Sequence, residues 1–204
     1  MKKENPQRPL SAMMSVLSQG GITAVPTDTV YGLLADATQE KAIEKLLRIK
    51  GREQEKGMPI FVASLREAKK IARIDKVKEA FLSHLWPGKI TAILALKSNA
   101  PIAKNALTGN GTIALRVPSH PLVLALLAEY KKPLTGTSAN RSGLPSCRDT
   151  ACIKKQLKNL LPDIIVEGDT LSPSGSSTII DFTKRPYQIV RKGAMYELIM
   201  SFIG

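Results

Sequence analysis

Aromatic side chains make up only 4% of the 204 residues, and tryptophan occurs once. A surface that holds single-stranded nucleic acid by stacking its bases would have little to work with. Cysteine and histidine are scarce too, at two each. Cys147 and Cys152 are too few for a disulfide framework and are expected to be plain packing or surface residues. With His84 and His120 the only histidines, no zinc constellation of soft ligands can be assembled. No apolar run reaches the roughly 18 to 20 residues that span a bilayer, and the start MKKENPQRPL lacks the apolar centre of a signal peptide. The expected location is therefore the cytoplasm, with no membrane contact. Familiar nucleotide signatures are missing as well: there is no GxxxxGK[ST] loop, and GNGTIA lacks the last glycine of GxGxxG. GTSAN begins like a nucleophile elbow, but Asn140 stands where the second glycine belongs, and a serine hydrolase would need one of the two histidines as its base.

Acidic residues are the remaining shortage. Lys plus Arg number 30 against 17 Asp plus Glu, a net charge of +13. Such an excess concentrates polyanions, whether nucleic acid or nucleotide phosphates, although lysines scattered over a surface would give the same total. With 43% hydrophobic residues, the length suits one domain or two closely packed lobes.

Hydrophobic periodicity gives an interleaved order of elements. LSAMMSVLSQ predicts a helix stopped by Gly20 and Gly21, and ITAVP a strand. TQEKAIEKLLRIK predicts a helix with acid near its start, Arg48 and Lys50 near its end, and Gly51 as a left-handed terminator. MPIFVAS is a strand, followed by two short helices, the strand KITAILALK, a loop, and the strand TIALRVP around Arg116. HPLVLALLAEYKK is a helix apolar nearly all round, expected to pack on more than one side. PLTGTSANRSGLPS is one short strand running into a polar loop. A helix capped by Asp149, the strands DIIVEGD, SSTIID and YQIVRK, and the helix MYELIMSFI complete the chain. Strands and helices alternate without a repeat, which predicts one compact α/β domain with a mixed sheet over residues 1–204, behind a polar tail at 1–9.

Polar residues gather where these elements end. VPTDTVYG puts Thr27, Asp28 and Thr29 just past an apolar strand, a place for a crevice or for an ordinary turn. Lys50 suits a helix C-terminus on dipole grounds alone, whereas Arg52 beyond the glycine gains less from it. Arg116, flanked by apolar residues, must either bond a buried carboxylate or face a ligand cleft. Ser138, Asn140, Ser142 and Ser146 share one loop and could hold phosphate oxygens, a purine edge or the turn itself. Ser176, Ser177 and Arg191 stand at strand boundaries.

As a set, PTDTVYGL, KGR, ALRVPSHPL, TSANRSG, SSTIID and IVRKG, in this order, resemble the YrdC/TsaC family of threonylcarbamoyl-AMP synthases from about Gly20 to Gly193. The likeness is to its short, single-domain bacterial form. It implies a twisted mixed α/β sheet with flanking helices, curled around a large positively charged cavity. The implied activity is a nucleotidyl transfer in which L-threonine, bicarbonate and ATP, with Mg²⁺ carried by ATP, give L-threonylcarbamoyladenylate and pyrophosphate. That adenylate serves N6-threonylcarbamoyladenosine formation on tRNAs that read codons beginning with A, through TsaD/TsaB/TsaE-like partners. Direct binding of tRNA or double-stranded RNA is a further expectation.

Carried over residue by residue, the resemblance makes Lys50, Arg52, Ser138 and Asn140 the catalytic tetrad. ATP contacts fall on Arg52, Lys56, Thr112, Ser138, Ser146 and Arg191, and threonine contacts on Thr29, Arg116, Gly136 and Ser177, with Ser176 a neighbouring candidate. No metal ligands are implied. Two places depart from the family pattern: Ala63-Ser64 stand where many relatives have a histidine, and EQEKG replaces a proline that often follows the arginine.

The residue types suit such chemistry, because nearly every reacting species is an anion and preorganised cations and donors offset the repulsion. A planar guanidinium fork suits a carboxylate clamp better than a lysine does. Two rival readings also fit these residues. One is a non-catalytic RNA-binding module; the other is a carbamoyl-transfer enzyme starting from carbamoyl phosphate, which would carry zinc-finger or acylphosphatase-like segments.

Overall fold

The computed structural model describes residues 7–51, 58–107, 110–172 and 175–203. Helix α1 (Gln7–Ser18) begins inside the stretch expected to be a polar tail, turns Met13 and Leu17 into the core, and ends before Gly20 at φ 78°. Strands β1 (Thr23–Val25) and β2 (Gly32–Leu34) follow, joined by the turn that carries Thr27, Asp28 and Thr29. Helix α2 (Glu40–Lys50) buries Ala42, Ile43, Leu46 and Ile49, and stops at Gly51, whose φ of 59° lets its N–H reach the carbonyls of Arg48 and Leu47. Strand β3 (Ile60–Phe61), helices α3 (Leu65–Ile71) and α4 (Lys76–Leu85), and strands β4 (Ile90–Ala95) and β5 (Thr112–Arg116) come next. Ser64 and Asp75 cap α3 and α4 by accepting backbone N–H bonds from Glu67 and Lys78.

Helix α5 (Pro121–Tyr130) buries Val123, Leu126 and Leu127 in one core and packs Leu124 against the other, so it meets neighbours on more than one side as its all-round apolar sequence implies, with only Pro121 and the alanines Ala125 and Ala128 exposed among its apolar residues. The stretch read as one strand after it is two, β6 (Leu134–Thr135) and β7 (Thr137–Ser138). Helix α6 (Thr150–Leu157) is capped by Asp149 as expected, and β8 (Ile164–Ile165), β9 (Thr178–Asp181), β10 (Gln188–Arg191) and α7 (Tyr196–Ile203) close the fold.

These strands form two sheets. A four-stranded sheet runs β7-β2-β1-β8 and a six-stranded one β10-β9-β4-β5-β3-β6, both mixing parallel and antiparallel pairs. Gly136 is the joint between them, because β6 belongs to the larger sheet and β7 to the smaller. Between the sheets, α1 and α5 close a core of Met13, Leu17, Phe61, Val123, Leu126 and Leu134, while a larger core lies under α2, α3 and α4.

One fully buried carboxylate ties several of these pieces together. Asp36 accepts from the Thr38 N–H and hydroxyl (2.9 and 2.6 Å), Gln39 Nε2 (2.8 Å), the Tyr130 hydroxyl (2.7 Å) and Lys132 Nζ (3.0 Å). Burial alone would raise its pKa, but the bonds from Thr38, Gln39 and Tyr130 outweigh that and hold it below the ordinary carboxylate value. A depressed folded-state pKa contributes stability above the unfolded value of about 3.9 that is lost as pH falls through the folded one. Asp36→Ala is expected to destabilise the fold by about 3 kcal/mol or more, since Thr38, Gln39 and Tyr130 lose their shared acceptor at about 1–3 kcal/mol each. Thermal melts between neutral pH and pH about 3 should also show a shallower acid limb in the variant.

Candidate active site

The joint between the sheets is tight. A Cβ added to Gly136 would stand 2.1 Å from Phe61 Cε1, and the Gly136 N–H donates to the Pro59 carbonyl at 2.7 Å. Only a residue without a side chain lets the chain cross between the sheets against that ring. Gly136→Ala is expected to lower stability by about 1–3 kcal/mol through overpacking, read as a drop in melting temperature. The Phe61 ring is shared with the site, because the Arg116 guanidinium carbon lies 5.6 Å from its centroid.

The last turn of α2 and strand β7 bring three of the expected residues together. Lys50 is only 4% exposed, and its Nζ donates to the Ser138 carbonyl (2.7 Å) and to Asn140 Oδ1 (2.9 Å). The Ser138 hydroxyl donates to the same Asn140 oxygen at 2.5 Å, and Asn140 Nδ2 donates to the carbonyls of Arg141 and Leu144. Ser142 N–H closes the arrangement on the Lys50 carbonyl (2.9 Å). Lysine, serine and asparagine thus form one hydrogen-bonded unit around an ammonium, about 90 positions apart in sequence. Arg52, the fourth member expected there, and Lys56 lie outside the described residues.

Arg116 settles the alternative left open by the sequence in favour of a carboxylate. Only 3% exposed, it donates from Nη2 to Asp28 Oδ2 (2.6 Å), from Nε to the Gly88 carbonyl (2.9 Å), and makes a long contact from Nη1 to Thr29 Oγ1 (3.5 Å). Ser119 Oγ donates to the same Asp28 oxygen at 2.8 Å. Burial pushes the Arg116 pKa down, Asp28 opposes the shift, and the neighbouring Arg191 adds to it. The His120 ring also feels Asp28, yet burial holds its pKa below the ordinary histidine value, which favours the neutral imidazole.

Arg191 comes from the edge strand β10. A register shift between Ile189 and Arg191 re-aims that side chain, and its Nε and Nη2 donate to the Ser177 carbonyl (3.0 Å) and hydroxyl (2.8 Å). Ser177 Oγ is also bonded to buried Thr91 (2.9 Å). Thr112 shares the side-chain parity of Arg116 on β5 and sits at the other end of that face. It lines a cavity of about 440 Å³ with an apolar floor that includes Met58, Ile93 and Ile179, and a polar rim that includes Asn110 and Asp181. Thr112 Oγ1 donates to Asn110 Oδ1 at 2.7 Å.

Ser146 is exposed and stands at the far end of the Ser138 loop. Next to it the structure corrects the sequence reading, for Cys147 and Cys152 are joined in a disulfide with Cα atoms 5.5 Å apart. Two cysteines are too few for a framework, but five positions across a loop-to-helix junction is a spacing that can close a single bond. At the departure noted after β3, Ser64 is occupied as the cap of α3 and Ala63 packs against the core beside Phe61. Among the residues that line or brace the site, Thr91 and Phe61 carried no signal in the sequence beyond apolar-strand membership. Asp28 was legible as part of the crevice turn but not as the partner of Arg116.

The two sheets therefore define an α/β protein with buried cations, hydroxyls and amides bonded to one another around Lys50 and Arg116. The chain belongs to the Sua5/YciO/YrdC family, whose model, described as telomere recombination, matches residues 15–193. A threonylcarbamoyl-AMP synthase of Klebsiella pneumoniae is 35% identical over 186 residues, covering 89% of this chain and 95% of that protein. The solved structure of P. abyssi Sua5 complexed with L-threonine superposes with a TM-score of 0.90 at 28% identity, over 98% of this chain. The chain spans 58% of that Sua5 chain. E. coli YciO superposes with a TM-score of 0.82, also at 28% identity, over 92% of this chain and 90% of its own.

Proposed function

We propose that this chain is an L-threonylcarbamoyladenylate synthase, a nucleotidyltransferase that converts L-threonine, bicarbonate and ATP into the adenylate and pyrophosphate. The observation that carries the reading is Arg116, a buried guanidinium fork beside Thr29, in a chain 35% identical to a threonylcarbamoyl-AMP synthase along most of its length. Asp28 and the Gly88 carbonyl hold Nη2 and Nε, so the fork is fixed before substrate arrives. The 3.5 Å contact to Thr29 is the longest of the three, and it is the one a substrate carboxylate replaces at least cost.

With the carboxylate held there, the threonine amine adds to the bicarbonate carbon and water is expelled to leave a carbamate, an oxygen of which attacks the α-phosphorus of ATP as pyrophosphate leaves. Arg191 and Lys50 supply fixed positive charge for the charge that develops in that step, with Ser138 and Ser177 ranged beside them. The apolar-floored cavity beside Thr112 receives the adenine end, with Arg52, Lys56 and Ser146 completing the phosphate contacts. No protein nucleophile is needed; the three-substrate encounter is accelerated by positioning.

Among the described residues no three His, Cys, Asp or Glu side chains gather as metal ligands, and Asp28 and Asp181 are engaged by Arg116 and Thr183. Mg²⁺ would enter with ATP, held on phosphate oxygens and water. No helix among the described residues is long and apolar enough to cross a membrane. The proposed reaction is cytoplasmic and hands its adenylate to TsaD/TsaB/TsaE-like proteins acting on tRNA. Pyrophosphate release by the purified chain with ATP and Mg²⁺ tests the reading. It is expected to require both L-threonine and bicarbonate; binding of tRNA or double-stranded RNA with a steep salt dependence and no turnover would favour a binding module instead.

A further inference from the structure

The segment from Ser138 to Ser146 is held at two ends by different means. At its start stand the Lys50 bonds to Ser138 and Asn140 and the Ser142 N–H on the Lys50 carbonyl. At its far end the grip comes from α6. Gln156 Oε1 accepts from the Arg141 N–H (3.1 Å), and Gln156 Nε2 donates to the Pro145 carbonyl (2.9 Å) and contacts Cys152 Sγ (3.4 Å). Cys152 is itself bonded to Cys147, whose carbonyl accepts the Tyr31 N–H (3.0 Å). Tyr31 in turn accepts the Ala139 N–H (2.7 Å), so one residue of the Thr29 turn bridges both ends of the segment. Despite these bonds, residues 141–146 are exposed.

We propose that Cys147–Cys152 is a thiol-exchange site, taking a dithiol reductant, whose redox state sets how firmly the Ser138–Ser146 segment is held for substrate. Burial fixes the direction of attack: Cys147 is fully buried and Cys152 half-buried, on the first turn of α6 with its N–H on Asp149. One thiolate of the reductant attacks Cys152 Sγ, the sulfur–sulfur bond breaks, and Cys147 leaves as a thiolate that takes a proton. The reductant's second thiol then displaces Cys152 from the mixed disulfide, so two electrons pass to the protein and the reductant leaves as its own disulfide. The chain has only these two cysteines, so no third protein thiol competes and exchange needs an external partner. In a reducing compartment such a bond is transient, which is the behaviour of a sensor rather than a staple.

Reduction removes the covalent part of the α6 anchor and leaves the Lys50 anchor in place. The segment's end at Ser146 loosens first. For its effect on catalysis the inference rests on the proposed synthase activity, in which Ser146 contacts ATP. The test uses the full chain, air-oxidised and then treated with dithiothreitol, with Cys152→Ser and Cys147→Ala as variants locked without the bond. Denatured oxidised protein should titrate no free thiols and the reduced form two. Trypsin should nick after Arg141 faster in the reduced form and in both variants. The KM for ATP should rise about three- to ten-fold on reduction, with kcat less affected, because the contact must be ordered at binding. Reoxidation should restore it in the wild type alone. Two free thiols in the air-oxidised protein, or equal nicking rates in the two redox states, would overturn the proposal. If neither form releases pyrophosphate, the synthase reading fails, and thiol titration and proteolysis still decide the switch.

Discussion

Lys50→Ala is expected to lower pyrophosphate release by about 10²- to 10³-fold, the usual loss when one preorganised donor of a developing anion is removed. Two effects act together. The variant loses a buried positive charge, and it releases Asn140 Oδ1 and the Ser138 carbonyl from the ammonium that fixes them. Hydrogen bonds to a charged group are worth roughly 1.5–3 kcal/mol, so the melting temperature should fall, but the fold should persist because α2 keeps Ala42, Ile43, Leu46 and Ile49 in the core. Lys50→Met, which keeps the buried stem, should recover stability without recovering turnover. Steady-state rates and thermal melts on the two variants separate these effects, and near-normal turnover in both would remove Lys50 from the chemistry.

The second large effect is expected at Arg116. Arg116→Lys keeps the charge and loses the fork, and should raise the KM for L-threonine roughly 10- to 100-fold, the equivalent of a charge-assisted bond of about 1.5–3 kcal/mol. Arg116→Met should in addition destabilise the fold by about 3–5 kcal/mol, because it strands the Asp28 carboxylate in a nearly closed site. Asp28→Asn added to Arg116→Met should restore much of that stability and none of the threonine affinity. A thermodynamic cycle over the two positions reads the coupling directly, and simple additivity would show that Asp28 does not hold Arg116.

Much of this organisation is visible in the sequence, for identifiable reasons. Helix α2 was legible to the residue at its C-terminus, since its apolar spacing, its terminal cations and Gly51 all agree. Asp149 as a cap and the strands around Arg116 and Ile180 were equally plain. Strand β2 was not, because Gly32–Leu34 is three residues long and hides behind a turn motif. Nor was the division at Gly136, since a glycine between short strands says nothing about which sheet each joins; the Phe61 ring against it decides that. The site shows the same split. Lys50, Ser138 and Asn140, three of the four residues that the family resemblance groups, lie in one hydrogen-bonded unit, while Arg52 lies outside the described residues. Asp28 as the partner of Arg116 and Thr91 as the brace of Ser177 depend on contacts 88 and 86 positions apart, which periodicity cannot register. The disulfide was missed because counting cysteines addresses frameworks, not a single closure.

The most direct test of the account follows the carbon of bicarbonate. Purified protein is incubated with ATP, Mg²⁺, L-threonine and ¹³C-bicarbonate, and the adenylate is examined by carbon NMR. A labelled carbamate carbon is expected in a nucleotide product that forms with pyrophosphate and disappears when threonine is omitted. An unlabelled threonine-containing adenylate, or labelled bicarbonate left unchanged while pyrophosphate accumulates, would contradict it.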